Sequence, residues 1–195
     1  MTPFSVLMVC TANYCRSPIA EQLLAAAADS RCGAGSWAVS SAGTAAYSVR
    51  PIHEFSAQVL TDRGVYRQGH RSRLVDAAML RSTDLVLTAT REHRSAVVRL
   101  LPAAIGRTFT MLQFARLAAL VPPLHGSDGA ELGRQLVVEA KAARPLLQPV
   151  PPEEDDLPDP MGRPLAEFER CAVRLDAVVQ AVLSPLRLDA DSPTP

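Results

Sequence analysis

Val9-Cys10-Thr11-Ala12-Asn13-Tyr14-Cys15-Arg16-Ser17-Pro18 follows the short run Ser5-Val6-Leu7-Met8-Val9 and precedes Ile19–Ala28. The apolar run reads as a buried strand. Ile19–Ala28 reads as a helix, with Pro18 at its first position and Glu21 in its first turn. A strand, a tight loop and a helix start in that order build an anion site. Backbone N–H groups converge on one point, and the helix N-terminus adds positive potential. Cys10 and Arg16 bracket the loop with five residues between them. A thiol then sits at the base of the cradle and a guanidinium at its rim, both facing a tetrahedral oxyanion.

Each residue type has work to do there. A thiolate is a strong nucleophile for phosphorus, and converging N–H donors, a helix N-terminus and Arg16 all favour the anion. Arg16 can hold two phosphate oxygens at once, which a lysine cannot do in the same planar way. Ser17 can donate a hydrogen bond to the Cys10 sulfur and stabilise it as a leaving group. Asn13 tolerates the left-handed backbone that such a loop needs somewhere. A plain strand-to-helix turn around a buried cysteine is the competing reading of the Cys-x5-Arg spacing alone. The full string, placed between strand and helix, favours the anion site.

The string from Val9 to Glu21 resembles the signature of the low-molecular-weight protein tyrosine phosphatase family. That family carries Val-Cys-x5-Arg-Ser near the N-terminus and an Asp-Pro loop far downstream, here Asp159-Pro160. Ser41-Ala42-Gly43-Thr44, His70-Arg71-Ser72 and Asp84-Leu85-Val86-Leu87-Thr88 are similar as well. The likeness covers residues 4–114 and 156–183, leaving a middle stretch that shorter members lack. It implies a cysteinyl-phosphate mechanism. Cys10 attacks phosphorus, and Arg16 with the loop Thr11, Ala12, Asn13, Tyr14, Cys15 and Ser17 holds the phosphate. Asp159 serves as acid and then base. Tyr47 matches the aromatic that flanks the phosphotyrosine ring, and a half-buried surface tyrosine is the alternative. Cys15 corresponds to a cysteine able to form a reversible disulfide with the nucleophile, and simple packing is the other reading. His70 resembles a residue that helps hold the loop.

Some positions depart from the family pattern. Tyr14 replaces an aliphatic residue, and its bulk argues against phosphoarginine, whose hydrolases carry a small threonine there. Ala12 replaces a glycine and Thr90 an acidic residue. Met161 and Gly162 replace the aromatic pair after Asp-Pro, removing one wall of the aryl pocket. A phosphatase-like phosphate-binding module without turnover therefore stays as an alternative. So does a thioredoxin-coupled arsenate reductase, although no cysteine falls between Cys32 and Cys171 to serve as a relay.

The 195 residues carry 20 basic and 20 acidic side chains, a formal net charge of zero. That balance shows no nucleic-acid or anionic-membrane footprint. No apolar run approaches a membrane span, and the N-terminal run is too short for a signal peptide. Four scattered cysteines suit a reducing cytoplasm rather than a disulfide framework. Four histidines without ligand spacing give no metal site, and no cofactor is expected. The expected partner is a phosphotyrosine protein, such as a bacterial tyrosine kinase or its target, bound by a monomer or weak dimer.

Strands alternating with helices predict an α/β fold, a doubly wound four-stranded parallel sheet with the phosphate-binding loop after strand 1. The expected strands are Ser5–Val9, Ser36–Ser40, Asp84–Ala89 and Thr108–Leu112. Expected helices include one opened by Pro51, one over His93–Leu101 and one over Leu165–Leu183, with Val173 among its buried residues. Residues 1–187 read as one domain with a loosely attached helical insertion around 115–150. Pro149–Asp156 reads as an exposed loop with a solvated acidic run. The tail, from just beyond Leu186 and including 188–195, reads as disordered.

Overall fold

Side chains of the first strand alternate between two apolar cores, as the period of two along an extended chain requires. In the computed structural model, which describes residues 2–189, this strand is β1 (Phe4–Cys10). Phe4, Val6, Met8 and Cys10 enter the larger core, while Leu7 and Val9 enter a smaller one on the opposite face. After β1 come α1 (Arg16–Cys32), β2 (Trp37–Gly43), α2 (Glu54–Thr61), α3 (Ala77–Arg81), β3 (Leu85–Thr88) and α4 (Arg91–Leu100). The chain continues through β4 (Thr108–Thr110), α5 (Met111–Ala118), β5 (Leu124–Gly126) and α6 (Gly129–Ala142). It ends with α7 (Pro152–Asp155), α8 (Leu165–Leu183) and β6 (Leu186–Leu188).

The main sheet has the order β2-β1-β3-β4, every neighbouring pair parallel. Val75, Leu80 and Val97, around α3 and α4, cover the Leu7 and Val9 face. Residues of α1, α5, α6 and α8 cover the other. The sheet is therefore doubly wound, as expected. Cys10 pairs with Gly43 at the strand C-terminal ends, where open parallel sheets place their ligands.

Several boundaries differ from the sequence reading. α1 begins at Arg16, so Pro18 is its third residue rather than its first. The missing proline N–H still costs nothing, because donors in the first turn have no intrahelical acceptor. α2 begins at Glu54 rather than Pro51, and His53 Nδ1 caps it by accepting from Phe55 N at 3.1 Å. The fourth strand stops at Thr110, whose hydroxyl accepts from Gln113 N at 3.0 Å and starts α5. Val173 is exposed on the outer face of α8.

The middle stretch is not loosely attached. Leu132, Leu136 and Ala140 of α6 are fully buried in the larger core. Gly133 meets Phe4 so closely that an added Cβ would stand 2.5 Å from the ring Cδ1. Trp37 Nε1 donates to Gly129 O at 2.8 Å. Phe4 and Trp37 lie at the strand ends remote from Cys10, so this end of α6 packs away from the catalytic loop.

Two further expectations are corrected near the C-terminus. Leu186–Leu188 is ordered as β6, paired in parallel with β5. The rest of the expected disordered tail, 190–195, lies outside the described residues. Asp155 is not part of a solvated acidic run. It is buried, accepting from Arg91 Nη2 and Arg116 Nη2 at 2.6 Å each. Asp156 Oδ1 accepts from Arg91 N at 2.7 Å.

Candidate active site

Between Cys10 and Arg16 the chain turns back on itself, and its carbonyls are bound outward. Thr44 N donates to Cys10 O at 2.9 Å, Ala45 N to Thr11 O at 2.8 Å and His53 N to Tyr14 O at 3.0 Å. His70 Nε2 lies 2.9 Å from Asn13 O and donates to it. A trans peptide points its N–H opposite its C=O. The amides of Thr11, Ala12, Tyr14 and Cys15 are therefore turned inward by four outward bonds. The turn needs one left-handed residue, and Asn13 supplies it at φ 52°, the only positive φ outside glycine among the described residues.

Asn13 and Ser17 stand behind the loop, both fully buried. Asn13 Nδ2 donates to Ser17 Oγ at 3.0 Å and to Ser41 Oγ at 2.7 Å, and Arg73 N donates to Asn13 Oδ1 at 3.0 Å. Ser17 Oγ, already accepting from Asn13, has one proton and two acceptors within reach, Cys10 Sγ at 3.0 Å and Ala42 O at 3.4 Å, the sulfur being the nearer. Gly43 passes so close that a Cβ there would stand 2.5 Å from Thr11 O and 2.8 Å from Asn13 N. Any side chain at 43 pushes the loop open.

Arg16 lies buried across the mouth. Its Nη1 donates to Leu157 O at 3.1 Å, and its Nη2 donates to Thr11 Oγ1 at 3.2 Å and Asp159 Oδ2 at 2.5 Å. Arg16 Nε is buried with no protein acceptor among the described residues. Leu157 is itself fixed by its N–H to Ala89 O at 2.8 Å, directly after β3. The segment carrying Asp159 is thus tied both to the sheet end and to the loop. Asp159 remains 46% exposed at the rim, where a leaving group and water can reach it.

The cavity bounded by these groups measures about 150 Å³ and is lined by Cys10, Thr11, Ala12, Tyr14, Cys15, Arg16, Asp159 and Met161. Tyr47 is not on this wall. It is 83% exposed and lines an adjoining hollow shared with Tyr14, Arg50 and Met161. The Ser41–Arg50 turn does stand at the correct sheet end. Tyr47 itself projects from it because it is not held by packing. Tyr14 crosses between the hollows, edge-on to His53 with ring centroids 5.1 Å apart.

The cysteines differ in what surrounds them. Burial, then the Asp159 charge, pushes Cys15 up to about 12, so it stays a neutral thiol. Its Sγ packs 3.9 Å from Met161 Sδ. Burial does the same to Cys171, also about 12. Cys10, at the base of the cavity and within reach of the Ser17 hydroxyl, is the thiol placed to react.

His93 is a site residue that sequence reading missed. Thr11 Oγ1 accepts from Arg16, so its proton goes to His93 Nε2, 2.8 Å away. His93 Nδ1 then carries the imidazole proton towards Thr90 Oγ1 at 2.7 Å. The signal was present as Thr90-x-x-His93, an N-cap threonine and the residue whose N–H it accepts. Burial, then the Arg16 charge, lowers His93 to about 4. The unfolded chain, near 6.5, binds the proton that the fold refuses between those values. Stability contributed by neutral His93 is therefore present above pH 6.5 and lost as pH falls towards 4, by up to about 3 kcal/mol. Urea midpoints from pH 7 to 4 should fall less steeply in His93→Gln than in the wild type. Parallel curves would contradict the buried neutral histidine.

Comparison with known proteins agrees with this geometry. The family model for low molecular weight phosphotyrosine protein phosphatase matches residues 5–129, which include the whole Cys10–Ser17 loop. Low molecular weight protein-tyrosine-phosphatase Etp of Escherichia coli K12 is 34% identical over 126 residues, covering 65% of this chain and 81% of Etp. A protein-arginine-phosphatase of Geobacillus stearothermophilus is 25% identical over 187 residues, covering 96% of this chain and 99% of that one. The crystal structure of a low molecular weight protein tyrosine phosphatase from T. tengcongensis superposes with a TM-score of 0.69 at 25% identity, covering 93% of this chain and 98% of that one. With a family match over more than half its length that takes in the whole Cys10–Ser17 loop, the chain belongs to the low molecular weight phosphotyrosine protein phosphatase family.

Proposed function

We propose that this enzyme hydrolyses phosphotyrosine on proteins through a cysteinyl-phosphate intermediate. The observation that carries the reading is the buried Arg16 guanidinium. It is bonded at once to Thr11, Leu157 and Asp159 over a cavity whose base is Cys10. Cys10 thiolate attacks phosphorus, forming the S–P bond as the P–O bond to the tyrosine breaks. Asp159 gives its proton to the departing phenolate. Inward amides and Arg16 hold the equatorial oxygens, whose charge is what the transition state redistributes. Water deprotonated by Asp159 then attacks the phosphocysteine. Ser17 stabilises the departing sulfur, and inorganic phosphate leaves.

Tyr14, Met161 and the hollow beside Tyr47 receive the residues flanking phosphotyrosine. Among the described residues no helix is long and apolar enough to cross a membrane. A working Cys10 thiolate needs a reducing compartment, so the cytoplasm is the proposed site of action. A tyrosine kinase or its target is the proposed partner.

The whole-length relative named as an arginine phosphatase supplies the competing substrate. Tyr14 supports phosphotyrosine over it, because this bulky side chain lines the cavity beside Cys10 and suits a flat aryl group better than a flexible guanidino phosphate. Initial rates on matched phosphotyrosine and phosphoarginine peptides test the choice. Phosphotyrosine should be turned over at least about tenfold faster, the ratio that 1.4 kcal/mol produces. A preference for phosphoarginine would reverse the assignment.

A further inference from the structure

A second cavity, of about 400 Å³, opens beside the edge strand β4 and shares no lining residue with the Cys10 cavity. Arg91, Arg94, Arg116 and Arg144 line it, with Gln113 and Asp155. Asp155 serves Arg91 and Arg116 together, each at 2.6 Å. Arg94 and Arg144 form no ion pair among the described residues. Instead both donate to one carbonyl, Thr108 O, from Arg94 Nε at 3.0 Å and Arg144 Nη2 at 3.2 Å. The Arg144 guanidinium also stands over the Phe109 ring, its Cζ 4.2 Å from the centroid.

Two guanidinium groups sharing one acceptor repel each other, and arginine does not escape by losing its proton. Burial, then the Arg94 charge, holds Arg144 below the ordinary arginine value. Nε of Arg116 and Nε of Arg144 are buried donors without protein acceptors among the described residues. Four positive groups around one carboxylate, with donors left over, match a ligand that brings negative charge and several acceptor oxygens. The volume falls in the range of small-ligand pockets.

We propose that this cavity is a second anion site, taking a small phosphate compound with two or more negative charges. Inorganic pyrophosphate and the phosphate tail of a nucleotide present the same chemistry to it. Arg94 and Arg144 bind the oxygens, and Arg91 and Arg116 close over them from the Asp155 side. The site stands apart from the phosphatase reading, since no residue of the Cys10 loop takes part. It does touch the machinery at one remove. Asp155 is two residues before Leu157, whose carbonyl holds Arg16.

Calorimetric titration with pyrophosphate, and separately with ATP, tests the proposal on the full chain. Wild type should bind two equivalents, one at Arg16 and one here. Arg16→Ala should keep one, and combining it with Arg94→Gln should weaken that one at least tenfold. Arg144→Gln in the same background should do the same, and thermal melts of each variant check that it is folded. Arg94→Gln covers the case in which Arg144→Gln loses its packing on Phe109. Tighter ATP than pyrophosphate assigns a nucleotide, and equal affinities assign the bare phosphates. Loss of all binding in Arg16→Ala overturns the proposal. So does unchanged binding when Arg94 and Arg144 are neutralised.

Discussion

Cys10→Ser loses turnover of p-nitrophenyl phosphate by at least about 10⁴-fold, to the limit of detection, while still binding inorganic phosphate. The separation follows from the geometry. Phosphate is held by Arg16 and by amides that four outward carbonyl bonds keep turned inward, and none of those bonds involves the Cys10 side chain. The serine hydroxyl keeps the shape of the site, including a partner for Ser17, but supplies no thiolate. Phosphate affinity measured by calorimetry should stay within a few-fold of wild type. Retained hydrolysis would sink the covalent mechanism. Loss of phosphate binding along with turnover would mean that the thiol also builds the loop.

Asp159→Asn should lower kcat on phenyl phosphate by about 10² to 10³, within the usual worth of general acid–base help. The loss should be smaller for p-nitrophenyl phosphate, whose leaving group departs with little need for a proton. KM should not rise. The carboxylate of Asp159 occupies Arg16 Nη2 at 2.5 Å, so a bound phosphate must compete with it, and an amide competes less well. Equal kcat losses on both substrates would remove Asp159 from the role of acid. The two variants then separate the steps. In the proposed mechanism Cys10 is needed to form the intermediate, whereas Asp159 chiefly sets how fast the oxygen leaves.

How much of this was legible in the sequence depends on how local each feature is. The Cys10–Arg16 loop is decided by neighbours in the chain: an apolar strand before it, a helix after it, and Asn13 where the backbone must turn left-handed. The strand, the helix and the left-handed Asn13 stand where the sequence put them. Tyr47 does not line the Cys10 cavity, because a turn's position on the sheet follows from topology whereas the direction of one unpacked side chain does not. Asp155 looked like one of four acidic surface residues. Its partners, Arg91 and Arg116, lie 64 and 39 residues away, and no spacing rule links them. The same holds for α6, whose docking depends on Gly133 leaving room for the ring of Phe4. Met111 and Leu112 continue the apolar run of β4, and only the Thr110 cap ends the strand.

The contact between Arg16 and Asp159 spans 143 residues. Ribosomes add about 5–20 residues per second, so roughly 7 to 30 s separate the appearance of the nucleophile loop from that of its acid. During that interval the emerging chain holds Cys10 and Arg16 without Leu157, Asp159 or the α8 helix that covers α1. The pocket is therefore completed late in synthesis, because Arg16 meets its Leu157 and Asp159 partners only when the last quarter of the chain has emerged.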